Sequence, residues 1–127
     1  MVILAQNVEL NITHIRNIKG HIQIMVFEDA ESYKEDKALS VNRFEKKSMK
    51  DGIMSITMKI PKGVFGVILL DDENDTNLME YNLLGFPKEG FGFAGYYHKG
   101  IRRPDFDDFK FSVGVEKTKK EIRVRYF

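Results

Sequence analysis

The feature that most constrains this chain is a two-residue alternation of apolar and polar side chains that recurs in several short segments. Residues 8–13, 21–27 and 54–60 show it most clearly, with Val, Leu, Ile or Met at every second position. This is the period of a β-strand that buries one face. Residues 64–70 are apolar at nearly every position, which is typical of a strand buried on both faces. The pattern predicts an all-β fold, an antiparallel β-sandwich of about seven strands with one long loop or lid segment.

Turn-forming residues indicate how the predicted strands connect. Asn17–Gly20 has the composition of a turn, so the first two strands are predicted to form a hairpin. Residues 28–37 are charged and aperiodic, and they are predicted to form either a short helical turn or a loop. Residues 109–115 alternate again and predict a further strand. The predicted core consists of the inward positions of these strands: Ile22, Ile24, Val26, Ile56, Met58, Val67, Leu69, Phe109, Phe111 and Val124.

Size and charge limit the classes of function. The 127 residues suit one domain, which we assign to residues 7–127. Twenty basic and 19 acidic residues leave a formal net charge of +1, so the chain lacks the basic excess expected of a nucleic-acid binder. The absence of cysteine excludes disulfides, thiolate metal sites and cysteine nucleophiles. No apolar run approaches the ~18 residues of a membrane span, so we expect no membrane insertion.

The first six residues suggest a compartment. Residues 1–6 are apolar and end with a small residue before a polar one, as the end of a secretory leader and its cleavage site do. We therefore predict that residues 1–6 are a signal-peptide remnant behind a start methionine, and that the protein is secreted or periplasmic. The alternative is that Val2, Ile3 and Leu4 begin the first strand.

Four blocks of the second half carry a family resemblance. They are Pro-Lys-Gly-Val-Phe-Gly-Val at 61–67, Asp-Asp-Glu-Asn at 71–74, Leu-Gly-Phe-Pro-Lys-Glu-Gly-Phe-Gly-Phe at 84–93, and Arg-Pro-Asp-Phe-Asp-Asp-Phe-Lys-Phe at 103–111. In order and spacing they resemble the bacterial family called domain of unknown function 2141. The resemblance implies a secreted or periplasmic β-sandwich of immunoglobulin-like or transthyretin-like character, and it implies no known activity.

The loop that begins at Asp71 is a candidate cation site. Calcium prefers six to eight oxygen ligands, which alternate positions of a tight loop can supply. The candidate calcium ligands are Asp72, Asn74, Thr76, the Leu78 carbonyl and Glu80, with Asp105, Asp107 or Asp108 available to complete the set. Relatives read Asp-Glu-Asn-Gly-Asn-Gly-x-x-Asp here, whereas this chain lacks both glycines and ends in Glu80. The alternative is that the acids and amides cap the backbone N–H groups of their own loop. No cofactor is required by either interpretation.

Glycines and aromatic residues interleave from 85 to 97. Because phenylalanine is mostly buried, we predict that Phe86, Phe91 and Phe93 close one end of the sandwich. Tyr96, Tyr97 and His98, with Arg102 and Arg103 nearby in sequence, form the predicted binding surface.

Catalytic patterns are weak. The three histidines lack zinc-type spacing, and no serine has the context of a nucleophile elbow. The leading prediction is a non-enzymatic module that binds an unknown protein or carbohydrate ligand through the 71–108 loops. The alternatives are a hydrolase-like enzyme that uses the loop carboxylates and a purely structural accessory domain.

Overall fold

The protein is a two-sheet β-sandwich with two short helices. A computed structural model describes residues 7–75, 89–100 and 102–126. In chain order the elements are β1 Val8–Thr13, β2 His21–Phe27, α1 Ala30–Lys34, β3 Ser40–Glu45, β4 Met54–Met58, β5 Gly63–Asp72, β6 Gly90–Phe93, α2 Phe106–Phe109, β7 Phe111–Val113 and β8 Thr118–Arg123. None of the helices described is long and apolar enough to cross a membrane.

One sheet has three strands and the other has five. The smaller sheet has the order β4-β1-β8, and the larger has β3-β2-β5-β6, with β7 also pairing with β5. Strand β5 is central, as its apolar run predicted, because it lies between β2 and β6 and also pairs with β7 through its first residues. Its final residues Asp71 and Asp72 remain in the ladder opposite Ile22 and His21. The sheet therefore delivers two carboxylates to one end of the sandwich.

All ten predicted core residues are buried. Nine of them belong to a cluster between the two sheets, whereas Phe109 packs in a second cluster with Phe27, Tyr33, Phe91 and Phe93. The second cluster lies under the two helices. The alternating pattern therefore identified the buried faces correctly.

The predicted strand connections were partly wrong. β1 and β2 do not form a hairpin, because β1 pairs with β4 and β8 in one sheet while β2 pairs with β3 and β5 in the other. The sandwich is also not wholly antiparallel, since β1 and β8 run parallel. The described residues form eight strands, in agreement with the expected all-β sandwich of about seven. Gly20 still makes a turn with a φ of 69°, but that turn leads from one sheet to the other.

The helices decide one open prediction and explain one further difference. Residues 28–37 contain α1, whose N-cap Asp29 accepts a hydrogen bond from the Ser32 N–H at 2.7 Å. The strand predicted over 109–115 is shorter than expected, because Phe109 ends α2 and Val115 is 91% exposed. Both helices span five residues or fewer, so they show no full apolar repeat.

Candidate functional site

Four acidic residues at the end of β5 each contact a basic side chain. We call this set the charge network; it pairs Asp71 with Lys46, Asp72 with Arg43, Glu73 with Arg16, and Asp75 with both Arg43 and His21. Its basic members come from β2, from β3 and the residue after it, and from the segment after β1. The network therefore ties both sheets to the base of the long loop.

The inner part of the network is buried. The Lys46 and Asp71 side chains are 1% and 0% exposed, and Lys46 Nζ lies 2.5 Å from Asp71 Oδ1. The Tyr126 hydroxyl donates a hydrogen bond to Asp71 Oδ2 at 2.5 Å. Burial raises the pKa of Asp71, although Lys46 and Tyr126 oppose that rise. Burial and the Asp71 hydrogen bond raise the pKa of Tyr126, so its hydroxyl remains a donor at neutral pH.

The outer part is more accessible. Arg43 reaches Asp72 at 2.9 Å, Asp75 at 3.0 Å and the Gln23 side-chain oxygen at 3.1 Å. Arg16 donates two hydrogen bonds to the Glu73 carboxylate. These bonds hold the pKa of Glu73 below its ordinary value. The acids of this segment are thus held by protein cations.

Two of the five predicted calcium ligands lie in the described part of the chain. Asp72 is fully buried and faces Arg43, so a cation bound there would have to displace the guanidinium. Asn74 is exposed, whereas Thr76, Leu78 and Glu80 lie outside the described residues. Within residues 7–75, 89–100 and 102–126, no three His, Cys, Asp or Glu side chains are grouped to hold a metal ion. The calcium site stays a prediction.

The acids proposed to complete that site belong to α2. The Asp108 carboxylate accepts a hydrogen bond from the Asp105 N–H at 2.9 Å, and Asp107 pairs with Lys110 at 2.9 Å. Both interactions serve the helix itself, as acids near a helix start commonly do.

The phenylalanines of the aromatic run are buried where the structure describes them. Phe91 and Phe93 contact each other edge to face at 6.1 Å between ring centres, and Phe93 packs against Phe109 at 4.8 Å. Their predicted burial is confirmed, and they pack in the cluster under the two helices rather than in the cluster between the sheets. Phe86 lies outside the described residues.

The predicted binding residues divide between two surfaces. The Tyr96 hydroxyl contacts His98 Nδ1 at 3.3 Å, and the other His98 ring nitrogen contacts the Arg102 carbonyl. The Tyr97 ring stacks with Arg123, whose guanidinium carbon lies 4.5 Å from the ring centre. A depression of about 330 Å³ beside these rings is lined by Gly95, Tyr96, Tyr97, Glu121 and Arg123. We call it the tyrosine surface.

Arg103 belongs to a different surface. Its guanidinium lies 3.9 Å from the centre of the Tyr33 ring and donates hydrogen bonds to the Tyr33 carbonyl and to Asp36. It lines a groove of about 560 Å³ between α1 and α2. Tyr33 is buried in that groove, and its hydroxyl donates a hydrogen bond to the Pro104 carbonyl. Arg103 covers one face of the Tyr33 ring, so that face is not open to a ligand.

The prediction missed several residues of these sites. Lys46 stands in a Glu-Lys-Lys run that has the composition of a solvated turn, and Arg43 occupies an outward position of a strand. Tyr126 alternates with Arg123 and Arg125 in the last residues of the chain, as an ordinary strand residue does. Glu121 and Arg123 lie on either side of the buried Ile122 in β8, as surface residues do. No local signal distinguishes them, because their roles depend on which strands become neighbours.

Comparison with known proteins places the chain in a family. Residues 10–122 match the family described as "Uncharacterized protein conserved in bacteria (DUF2141)". The chain belongs to this family. No match was found among curated proteins or among solved structures. The DUF2141 match covers both sheets and every basic residue of the charge network, and it confirms the resemblance carried by the four motif blocks.

Proposed function

We propose that this DUF2141 chain is a non-enzymatic, secreted or periplasmic module that binds carbohydrate at the tyrosine surface. The observation that carries the proposal is the pair of half-buried tyrosines, Tyr96 and Tyr97, beside a depression lined by the charged residues Glu121 and Arg123. Ligand sites are concave and combine aromatic faces with a few polar groups that orient the ligand.

The chemistry of the surface suits a sugar. The apolar C–H face of a sugar ring can stack on tyrosine, while its hydroxyls can bond to Glu121 and Arg123. Gly95 has a φ of 74°, and a side chain there would contact Lys120. Tyr96 also packs against the cluster under the helices, so part of the surface is held in place before any ligand binds.

The carboxylates support a binding role rather than hydrolysis. A glycosidase needs two acids facing each other across a cleft. Here Asp71, Asp72 and Glu73 each contact a cation, and Asp107 and Asp108 are engaged within α2.

Export is proposed on the composition of residues 2–6, which lie outside the described residues. Sequencing upstream of the codon for Met1 tests it. A basic, apolar leader immediately before Ala5 and recovery of the protein from the periplasm or medium would support export. Recovery from the cytoplasm of the native host would contradict it.

Carbohydrate binding is tested by screening the purified protein on a glycan array and titrating any ligand by calorimetry. We expect Tyr97→Ala to weaken binding about fivefold, because one stacked ring contributes on the order of 1 kcal/mol. Val41→Ala is the matched control, since Val41 is exposed on β3 at the opposite edge of the larger sheet. Binding that Tyr96→Ala and Tyr97→Ala leave unchanged, or an array without any ligand, would overturn the proposal. Capture of a peptide instead would favour a protein partner.

A further inference from the structure

Lys46 and Asp71 belong to segments on opposite sides of β2, and their side chains contact each other. Lys46 follows β3 directly, Asp71 is the penultimate residue of β5, and β2 lies between these strands. The tips of both side chains reach the same buried point, with 2.5 Å between Nζ and Oδ1. A buried lysine is uncommon because removing an ammonium group from water is costly.

The contact is an ion pair that is shorter than an ordinary ammonium–carboxylate hydrogen bond, in which N and O lie about 2.7 to 2.9 Å apart. Nζ lies beside Oδ1 but off the direction of an ordinary hydrogen bond, and no other described residue donates to Oδ1. Nζ instead donates to the Asn17 carbonyl at 3.2 Å. Because Oδ1 is bonded to Cγ at about 1.2 Å, Nζ lies within roughly 3.7 Å of Cγ. The amine is therefore close to the carboxyl carbon without being fixed along the hydrogen-bond direction.

Tyr126 completes the arrangement. Its hydroxyl donates to Asp71 Oδ2, the oxygen that Lys46 does not contact. The tyrosine is itself held, since its hydroxyl accepts a hydrogen bond from the Arg16 N–H at 3.1 Å and the Arg16 guanidinium lies 4.3 Å from its ring centre. Gly90 lies directly beneath the ring, because a Cβ there would fall 2.4 Å from Tyr126.

We propose that Lys46 and Asp71 condense to form an intramolecular isopeptide bond, with Tyr126 as the catalytic residue that stabilises charge on Oδ2. The geometry supplies a nucleophile, an electrophile and a hydrogen-bond donor in one buried place. The proposal is independent of carbohydrate binding.

The reaction needs no further reagent. A proton passes from the Lys46 ammonium to Oδ1, because a site removed from water favours the neutral pair over separate charges. The Nζ lone pair then attacks Cγ, and the negative charge that develops on Oδ2 is stabilised by the Tyr126 hydroxyl. A second proton moves from Nζ to Oδ1, the Cγ–Oδ1 bond breaks, and Oδ1 leaves as water. One amide and one water replace one amine and one carboxylic acid.

The mass of the intact wild-type protein tests the proposal without any variant. We expect a mass lower than that of the sequence by one water. Trypsin should release residues 44–47 joined to residues 63–88 as one branched peptide, because acylation blocks cleavage after Lys46. The branched peptide matters, since Asp51–Gly52 can also lose water by forming a succinimide. Full sequence mass after prolonged incubation of the folded protein, or water loss located only at Asp51, would overturn the proposal.

Single substitutions distinguish the roles of Lys46, Asp71 and Tyr126 in the condensation. Lys46→Arg should restore the full mass, whereas the exposed neighbour Lys47→Arg is the matched control and should retain the loss of water. Asp71→Asn should condense with loss of ammonia instead of water, which a structural ion pair would not do. Tyr126→Phe should lower the rate of condensation after cell-free synthesis at least about tenfold. An unchanged rate in that variant would overturn the role of Tyr126.

Discussion

Among the glycines that the structure describes, Gly20 has the least room for a side chain. A Cβ at this position would lie 1.9 Å from the backbone oxygen of Asp72, and its φ of 69° is unfavourable for a side chain. We expect Gly20→Ala to lower the free energy of unfolding by about 3 kcal/mol, measured by denaturant titration. Gly114→Ala is the control, because a Cβ added there would meet no atom within 4 Å. Equal effects of the two changes would contradict the turn geometry.

Glu73 makes the stabilisation contributed by the charge network depend on pH. Arg16 lowers its pKa in the folded protein, so the unfolded chain binds this proton more tightly. The contact therefore stabilises the fold above the unfolded pKa and is lost as the pH falls through the lower, folded pKa. Arg16 is 45% exposed, which limits the contribution to about 1 kcal/mol or less at neutral pH.

We accordingly expect Glu73→Gln to lower stability slightly at pH 7, and we expect this penalty to shrink over the range from pH 7 towards acid, as the pH falls below the unfolded pKa and then through the lower, folded pKa of Glu73. Chemical unfolding across that range measures the difference. A Glu73→Gln penalty that grows towards acid would contradict this assignment.

At the scale of single elements, a substitution in β7 tests whether this strand packs against the core. Phe111 lies on this three-residue strand, packs in the cluster between the sheets and is buried. Phe111→Ala should cost on the order of 3 to 5 kcal/mol in denaturant unfolding. Val115→Ala, two residues beyond the strand and highly exposed, should change stability by less than about 0.5 kcal/mol. A loss below about 1 kcal/mol for Phe111→Ala would mean that β7 is misplaced.

The predicted calcium loop is tested by melting the protein with millimolar calcium and with a chelator. A cation bound only by the folded state should raise the midpoint, with about 2.7 kcal/mol of stabilisation at a hundredfold excess over Kd. Magnesium should act less, because it demands octahedral geometry. Asn74→Ala is a more informative variant than Asp72→Ala, since removal of Asp72 would also leave Arg43 without that carboxylate. Identical melting curves would remove calcium from the account.

The limits of prediction are clearest in β1 and β2. Their alternating residues identified which side chains are buried, because that depends only on the two-residue period of a strand. Their pairing could not be predicted, since a turn at Gly20 looks the same whether it closes a hairpin or crosses between sheets. Lys46 and Asp71 are 25 residues apart in sequence, and their contact depends on that long-range pairing. The short helices were ambiguous for a different reason, namely that five residues do not complete a repeat.

At the scale of the whole molecule, the two sheets share one cluster. Leu10 of β1 and Leu69 of β5 belong to different sheets and to the same core. We therefore expect cooperative unfolding, with coincident transitions by far-UV circular dichroism and tyrosine fluorescence. Leu10→Ala should lower the midpoint of both signals together, by about 2 to 5 kcal/mol in stability. Two separated transitions would show that the sheets unfold independently.

The parallel pairing of β1 with β8 has a consequence for synthesis. β1 is the middle strand of the smaller sheet, but β8 begins more than a hundred residues after it. At a translation rate of roughly 5 to 20 residues per second, the edge of β1 that pairs with β8 stays unpaired for on the order of ten seconds. An open, apolar strand edge can pair with other chains during that interval. A nascent chain stalled before β8 should therefore aggregate or recruit chaperones, whereas release of β8 from the ribosome should complete the sandwich.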